Sequence, residues 1–363
     1  MKPFQLLIKP VSFNCNLNCK YCFYLRVSEI YGKEKARMGS EILEILTAKY
    51  LKFKFKESIF GWQGGEPTLA GLNFYKKAIQ LQQKYGSPGQ IIGNALQTNG
   101  ILINDEWAEF FNRYKFLIGL SLDGPKKIHD KYRLSIGGKS VWHKVMKAAE
   151  ILRENKVSFN ILCVVSKANV NHVKELYNFF LENDFRYLQF IPALEADENG
   201  NRAPFSISPE QYGKFLKELF ALWSKNPGAM SIRMFDAILA RLLNKPMGFC
   251  TFEEKCPDYM VIEWNGDVYP CDFFVKKDYF LGNIKKDSFS VIKNRRDNKF
   301  GKLKVKIAED CVKCRWRDLC FGGCVKDRIF PANQQPQKSY FCQAYKIFFD
   351  FSIKSFQNLS KKV

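Results

Sequence analysis

The sequence predicts an α/β fold: an open partial (β/α)6 barrel over residues 1–237, followed by a smaller cysteine-rich domain over 238–363. Two observations lead to this expectation. Short β-branched or aromatic runs alternate with longer helical patterns from Phe4 to about Phe220, the pattern of a parallel sheet joined by crossover helices. Beyond about residue 238 the texture changes, and eight of the twelve cysteines lie there at close spacing.

In order, the expected strands are 5–11, 58–62, 91–98, 116–122, 157–165 and 186–191. The expected helices are 41–53, 73–85, 105–114, 141–155, 170–182 and 209–224. Six strand–helix repeats suit an open barrel better than a closed eightfold one. The polar stretch 195–208 reads as a loop. A hydrophobic content of 46% over 363 residues is ample for a packed core and excludes a disordered chain. No apolar run has the length of a signal peptide or a membrane span, so a cytoplasmic protein with no membrane partner is expected. In a reducing compartment, clustered cysteines serve as metal ligands or catalytic groups more often than as disulfides.

Directly after the first expected strand stand Cys15, Cys19 and Cys22, with three and then two residues between them. Thiolates are the soft ligands that iron–sulfur clusters need, and three of them leave one iron of a four-iron cluster open to a small chelating molecule. A structural zinc site wants four ligands, and no nearby His completes this one. Further marked segments close later strands: Gly64-Gly65-Glu66-Pro67 the second, Gln97-Thr98-Asn99-Gly100 the third, Ser121-Leu122-Asp123-Gly124-Pro125 the fourth and Ile191-Pro192-Ala193-Leu194 the sixth. The paired glycines let the backbone approach a ligand, and the Glu66 carboxylate can bind an ammonium. Turn chemistry accounts equally well for Asn99-Gly100 and Asp123-Gly124-Pro125.

These segments resemble the radical SAM superfamily, in which a CxxxCxxC loop follows the first barrel strand. The resemblance implies a 4Fe–4S cluster on Cys15, Cys19 and Cys22 with S-adenosylmethionine (SAM) on its open iron. It further implies that the Gly64, Gly65, Glu66 segment takes the SAM amino group, with contacts from Tyr21, Ser121, Arg133 and Leu194. Arg133 suits the SAM carboxylate.

The second constellation runs Cys250, Cys256, Cys271, Cys311, Cys314, Cys320, Cys324 and Cys342. Eight thiolates suffice for two fully ligated 4Fe–4S clusters, although Cys311 and Cys314 also have a zinc-knuckle spacing. The order, with Gly266 between Cys256 and Cys271, resembles the SPASM extension of radical SAM enzymes. The fold implied is a partial (β/α)6 radical SAM barrel with a C-terminal SPASM-type domain that binds two auxiliary clusters, three clusters in all. Family pairing implies Cys250, Cys256, Cys271 and Cys324 for the first auxiliary cluster and Cys311, Cys314, Cys320 and Cys342 for the second. Cys163, in an apolar strand, reads as a small buried hydrophobe.

Cys22-Phe23-Tyr24, Trp62 to Pro67 and Val268 to Val275 are similar to the anaerobic sulfatase-maturating enzymes, a resemblance that runs from Cys15 to Tyr345. It implies oxidation of an active-site Cys or Ser of a sulfatase to formylglycine. A 5'-deoxyadenosyl radical would take hydrogen from the target Cβ, Asp272 would accept the thiol or hydroxyl proton, and the second electron would leave through an auxiliary cluster. Tyr24 and Gln63 would hold the substrate. A carboxylate bonded to backbone is the plainer reading of Asp272, and packing that of Tyr24 and Gln63.

The balance of 57 Lys and Arg against 36 Asp and Glu gives a net charge of +21, which raises nucleic acid as a partner. The bases are scattered in pairs such as Lys76-Lys77, Lys126-Lys127 and Lys285-Lys286, with no nucleic-acid-binding signature, so no such partner is expected. An acidic flavodoxin- or ferredoxin-like electron donor suits the basic surface, and a solvated surface with no specific partner accounts for it equally. Two other functions compete with sulfatase maturation. A SPASM peptide maturase would crosslink or epimerise a ribosomal peptide; such enzymes often add a recognition domain, and the few residues before the first strand leave no room for one. A non-enzymatic iron–sulfur carrier would not require ligand-pocket residues at successive strand ends.

Overall fold

The computed structural model describes residues 2–32, 36–335 and 337–362. The six expected strands are present as β1 (Gln5–Lys9), β2 (Glu57–Trp62), β3 (Ile91–Thr98), β4 (Leu117–Ser121), β5 (Phe159–Val165) and β6 (Tyr187–Pro192), each parallel to the next. Helices α1 (Ser40–Leu51), α2 (Leu72–Tyr85), α3 (Asp105–Arg113), α4 (Trp142–Glu154), α5 (Val173–Glu182) and α6 (Pro209–Trp223) alternate with them. β1 stops short of its expected end, because Pro10 has no N–H for the ladder and Ser12 takes a positive φ of 50°. α6 begins sharply: Pro209 fills its first turn, and Ser208 and Gln211 form a capping box. The 195–208 stretch carries no helix or strand, only an isolated antiparallel bridge between Ala196 and Arg202, as expected of a polar loop.

The sheet does not end where the barrel repeats end. A short β7 (Ser231–Ile232) follows β6, and β8 (Tyr259–Glu263), β9 (Asp267–Tyr269) and β10 (Gly282–Asn283) extend the other edge, giving one ten-stranded sheet in the order β10-β9-β8-β1-β2-β3-β4-β5-β6-β7. β8 runs parallel to β1, with Gln5 opposite Tyr259 and Lys9 opposite Glu263. Helix α7 (Arg233–Leu242) passes through position 237/238, and the chain then crosses from the β7 edge to the β1 edge. The final helix α8 (Cys342–Ser360) packs on α6 and α7, with Phe235 stacked on Phe348 and Phe220 against Phe356. An aromatic core thereby ties the cysteine-rich segment to the barrel. Among the described residues, no helix is long and apolar enough to cross a membrane.

Candidate active site

Cys15, Cys19 and Cys22 lie in the irregular loop between β1 and a 3-10 turn, Phe23–Val27. One side of this loop is held by the segment carrying Arg133: Asn18 N–H donates to the Leu134 carbonyl at 2.9 Å and Lys20 N–H to that of Tyr132 at 3.0 Å. On the other side, Gly65 N–H donates to the Ser12 carbonyl at 2.6 Å and Glu66 N–H to that of Asn14 at 2.8 Å. A Cβ on Gly65 would lie 2.1 Å from the Asn14 oxygen, and one on Gly64 2.6 Å from that of Ser12. The glycines thus let the turn after β2 press against the cysteine loop itself, a close approach that the sequence alone assigns to a ligand. Asn99 Nδ2 adds a bond of 2.7 Å to Asn16 Oδ1. Burial pushes the Cys15 thiol up to about 12 and that of Cys19 up to about 11, so the bare loop keeps its protons until a metal takes them.

Glu66 is fully buried, and its carboxylate accepts from Thr68 N–H (3.0 Å), Thr68 Oγ1 (2.5 Å), Thr98 Oγ1 (2.8 Å) and Asn99 N–H (2.8 Å). Its acceptor capacity joins the ends of β2 and β3 behind the cysteine loop. Tyr21 and Arg133 meet at Asp123, which the sequence marks only as a turn residue. The Tyr21 hydroxyl donates to the Asp123 carboxylate, Arg133 Nε approaches it at 3.1 Å, and Val164 N–H bonds its other oxygen at 2.9 Å. The guanidinium also lies 5.4 Å from the Tyr21 ring centroid. Ser121 and Leu194 sit buried at the C-terminal ends of β4 and β6, and the Leu194 carbonyl accepts from Lys326 of the cysteine-rich segment.

The rings of Phe23 and Phe273, 4.4 Å apart, bring the 3-10 turn Asp272–Phe274 against the turn that carries Tyr24. Between them lies Lys9, with no exposed surface. Its ammonium donates to Gln63 Oε1 at 3.2 Å and lies 4.5 Å from the Tyr24 ring centroid, while the Tyr24 hydroxyl donates to Glu263. Gln63 Nε2 donates to Gln97 Oε1 at 2.9 Å, so both ends of its amide are fixed. Burial pushes the Lys9 pKa down, opposed by Asp272, then Glu263, then the thiols of Cys271 and Cys22. Tyr24 and Gln63 are thus brought together around a buried lysine that sequence reasoning misses, with the Asp272 carboxylate near enough to act on its charge. The signal is slight: in β1 the alternation Gln5, Leu7, Lys9 puts the lysine on the barrel-facing side.

Cys311, Cys314, Cys320 and Cys342 line one small cavity with Trp316, Tyr345 and Phe349. In the other group the thiols lie within electrostatic reach of one another: Cys256 acts on Cys250, Cys250 on Cys324 and Cys324 on Cys271. The Tyr259 hydroxyl donates to Cys271 Sγ at 3.0 Å, and Asp272 Oδ1 is 3.5 Å from the same sulfur. Cys163 is fully buried in β5, with Asn169 Nδ2 at 3.8 Å, apart from both groups. Among the described residues no three or more His, Cys, Asp or Glu side chains converge on a single-ion site, and a cubane, which takes one thiolate per iron, does not call for one.

A partial barrel with a thiol triad after its first strand and two further thiol groups beyond its last defines a radical SAM enzyme with an auxiliary iron–sulfur domain. Residues 10–180 match the radical SAM superfamily, and residues 250–315 match SPASM, an iron–sulfur cluster-binding domain. The cysteine-type anaerobic sulfatase-maturating enzyme of Clostridium perfringens is 41% identical over 373 residues, covering 100% of both chains. The serine-type enzyme of Bacteroides thetaiotaomicron is 37% identical over 369 residues, covering 96% of this chain and 89% of its own. A solved structure of native anSMEcpe with bound AdoMet and Kp18Cys peptide matches with a TM-score of 0.91 at 40% identity, covering 100% of each chain. The chain belongs to the anaerobic sulfatase-maturating enzyme family.

Proposed function

We propose that this protein oxidises an active-site Cys or Ser of a sulfatase polypeptide to formylglycine in the cytoplasm, with SAM and three 4Fe–4S clusters. The observation that carries this reading is that Phe23 packs on Phe273, which sets Asp272, 3.5 Å from Cys271 Sγ, against the turn of Tyr24, whose ring with Gln63 meets the buried Lys9. In this reading residues 1–237 generate the radical and residues 238–363 handle the second electron. Cys15, Cys19 and Cys22 hold the first cluster. Cys250, Cys256, Cys271 and Cys324 hold one auxiliary cluster, and Cys311, Cys314, Cys320 and Cys342 the other. Tyr21, Ser121, Arg133 and Leu194 line the SAM site. Because the Glu66 carboxylate is committed to Thr68, Thr98 and Asn99, the backbone of Gly64 and Gly65 meets the SAM ammonium, and Glu66 fixes that turn from behind.

When bound, the clusters and SAM supply hydrogen-atom abstraction from the target Cβ and the acceptor for the second electron. Tyr24 and Gln63 hold the target side chain, and the bonds from Lys9 and to Gln97 set the direction of the Gln63 amide. Asp272 takes the thiol or hydroxyl proton. Loss of one hydrogen atom, one proton and one electron converts the –CH2–SH of a cysteine into –CH=S, which water hydrolyses to the aldehyde with release of hydrogen sulfide; serine reaches the aldehyde directly. An acidic flavodoxin- or ferredoxin-like protein supplies electrons at the basic surface.

The test is an anaerobic incubation of reconstituted enzyme with SAM, a reductant and a peptide in which Cys or Ser is followed two residues later by Pro and four later by Arg. Mass spectrometry is expected to find the aldehyde with one SAM cleaved per turnover, and deuterium placed on Cβ is expected in the 5'-deoxyadenosine. An unchanged peptide, with solvent hydrogen alone in that product, overturns the assignment.

A further inference from the structure

The segment from Cys320 to Cys324 carries one ligand of each proposed auxiliary cluster, and the role inferred for Arg328 rests on that partition of the cysteines. Between Cys320 and Cys324, Phe321, Gly322 and Gly323 take positive φ values of 45°, 73° and 71° in succession. Such a run is unfavourable for Phe321 and persists only where its surroundings hold it. One side chain does so. Arg328 donates from Nη2 to the carbonyls of Phe321 (2.7 Å) and Gly323 (3.2 Å), and from Nε to that of Gly322 (2.9 Å). From Nη1 it reaches those of Lys304 and Lys306, each at 2.9 Å. All five N–H groups of the guanidinium are therefore committed to main-chain oxygens. A Cβ on Gly322 would lie 2.8 Å from Nη2, so the loop must be bare where the guanidinium rests.

Arg328 is only 2% exposed, a costly setting for a charge unless anions offset it. The thiols within its electrostatic reach come from both groups: Cys311 and Cys320 from one, Cys324 and Cys256 from the other. Another buried cation here, Lys304, is set differently. Lys304 donates to the carbonyls of Cys250 and Thr251, and the thiols that act on it most strongly, Cys256, Cys324 and Cys250, belong to one group. A guanidinium with no donor left cannot bond a cluster sulfur; it offers a permanent charge in a fixed place. A fully ligated 4Fe–4S unit carries about 2− when oxidised and one negative charge more when reduced, and net charge is one of the terms that set its potential.

We propose that Arg328 is a positioning residue for the electron path: a buried charge that bridges the two auxiliary sites, raises the reduction potential of both clusters and fixes the loop they share. The test is iron analysis and an EPR-monitored redox titration of anaerobically reconstituted holoenzyme. Arg328→Gln is expected to keep its iron and to move both auxiliary potentials to more negative values. Lys304→Met is expected to move one of them, and the potential of the cluster on Cys15, Cys19 and Cys22 stays fixed in both variants. Should Arg328→Gln fail to load, Arg328→Lys decides: its ammonium keeps the charge but not the five-bond anchorage, and both auxiliary potentials are expected to shift together by a smaller amount. Potentials that stay put at full iron content, or a shift confined to one auxiliary cluster in an Arg328 variant, overturn the inference alone. A wild-type protein with fewer than two auxiliary clusters overturns the partition beneath it.

Discussion

A carboxylate one residue after a cluster ligand can support that ligand or serve as a proton acceptor, and the two roles differ in what its removal leaves behind. Cys271 Sγ already accepts from the Tyr259 hydroxyl at 3.0 Å, so Asp272 is not the sole polar partner of that sulfur. Asp272→Asn keeps the shape and removes the basicity. It is expected to retain all its iron and to cleave SAM, while formylglycine formation falls by about 100-fold or more, the usual weight of general-base catalysis. Mass spectrometry of peptide product beside 5'-deoxyadenosine measures the split; near-wild-type aldehyde removes Asp272 from the role, and loss of iron makes it a structural residue. Asp272, Tyr24 and Gln63 can be picked out in the sequence because each adjoins a motif. Lys9 and Glu263 cannot, because what singles them out is burial and cross-strand register, and Asp123 is marked only as part of a turn, its bonds to Tyr21 and Arg133 being legible only in the fold. Lys9 meets Glu263 only once β8 lies beside β1, although the two strands stand far apart along the chain.

Between β2 and β3 the same limit takes another form. Strand and helix positions are legible because hydrophobic periodicity alternates cleanly, and the ends that shift do so for local reasons such as Pro10. The hairpin of β8 and β9 goes unrecognised, although Asn265-Gly266, with Gly266 at φ 88°, is the turn chemistry that marks one; the dense cysteines around it point toward ligands instead. For Gly64 and Gly65 the sequence indicates close approach but not the neighbour. That neighbour supports a definite expectation for Gly65→Ala. A methyl 2.1 Å from the Asn14 carbonyl oxygen has no flexible side chain to displace, so the loop with Cys15 must move. About four irons should be lost, those of the cluster on Cys15, Cys19 and Cys22, with the auxiliary EPR signals unchanged. Gly39→Ala, with nothing within 4 Å of the added methyl among the described residues, is the matched control and should lose none. Full iron content in Gly65→Ala would show that the loop yields without cost.

At the scale of the whole molecule, the change of texture near residue 238 is visible in the sequence, but the continuity of the sheet across it is not, since β9 and β10 are only three and two residues long and β8 pairs with a strand at the far end of the chain. Their pairing makes the cysteine-rich segment an extension of the barrel sheet, and α8 closes it from outside against α6 and α7. The three thiol groups nevertheless sit on separate supports: the loop after β1, the turns around β8 and β9 with Lys304, and the cavity beside α8. Each support has its own hydrogen bonds, and among the described residues none of those bonding the loop of Cys15, Cys19 and Cys22 runs to a thiol of the other two groups. Loss of that triad should therefore be local. Anaerobically reconstituted protein is expected to hold about twelve irons and twelve sulfides, and a variant with Cys15→Ala, Cys19→Ala and Cys22→Ala about eight of each. The triple variant should also lose SAM cleavage entirely while its auxiliary EPR signals and thermal transition stay near those of the wild type. An unchanged iron count, or zinc as the main metal, overturns the three-cluster assignment. A collapse of all iron in that variant would show instead that the radical-generating loop and the auxiliary sites fold as one cooperative unit, metal binding and folding being coupled across the sheet that joins them.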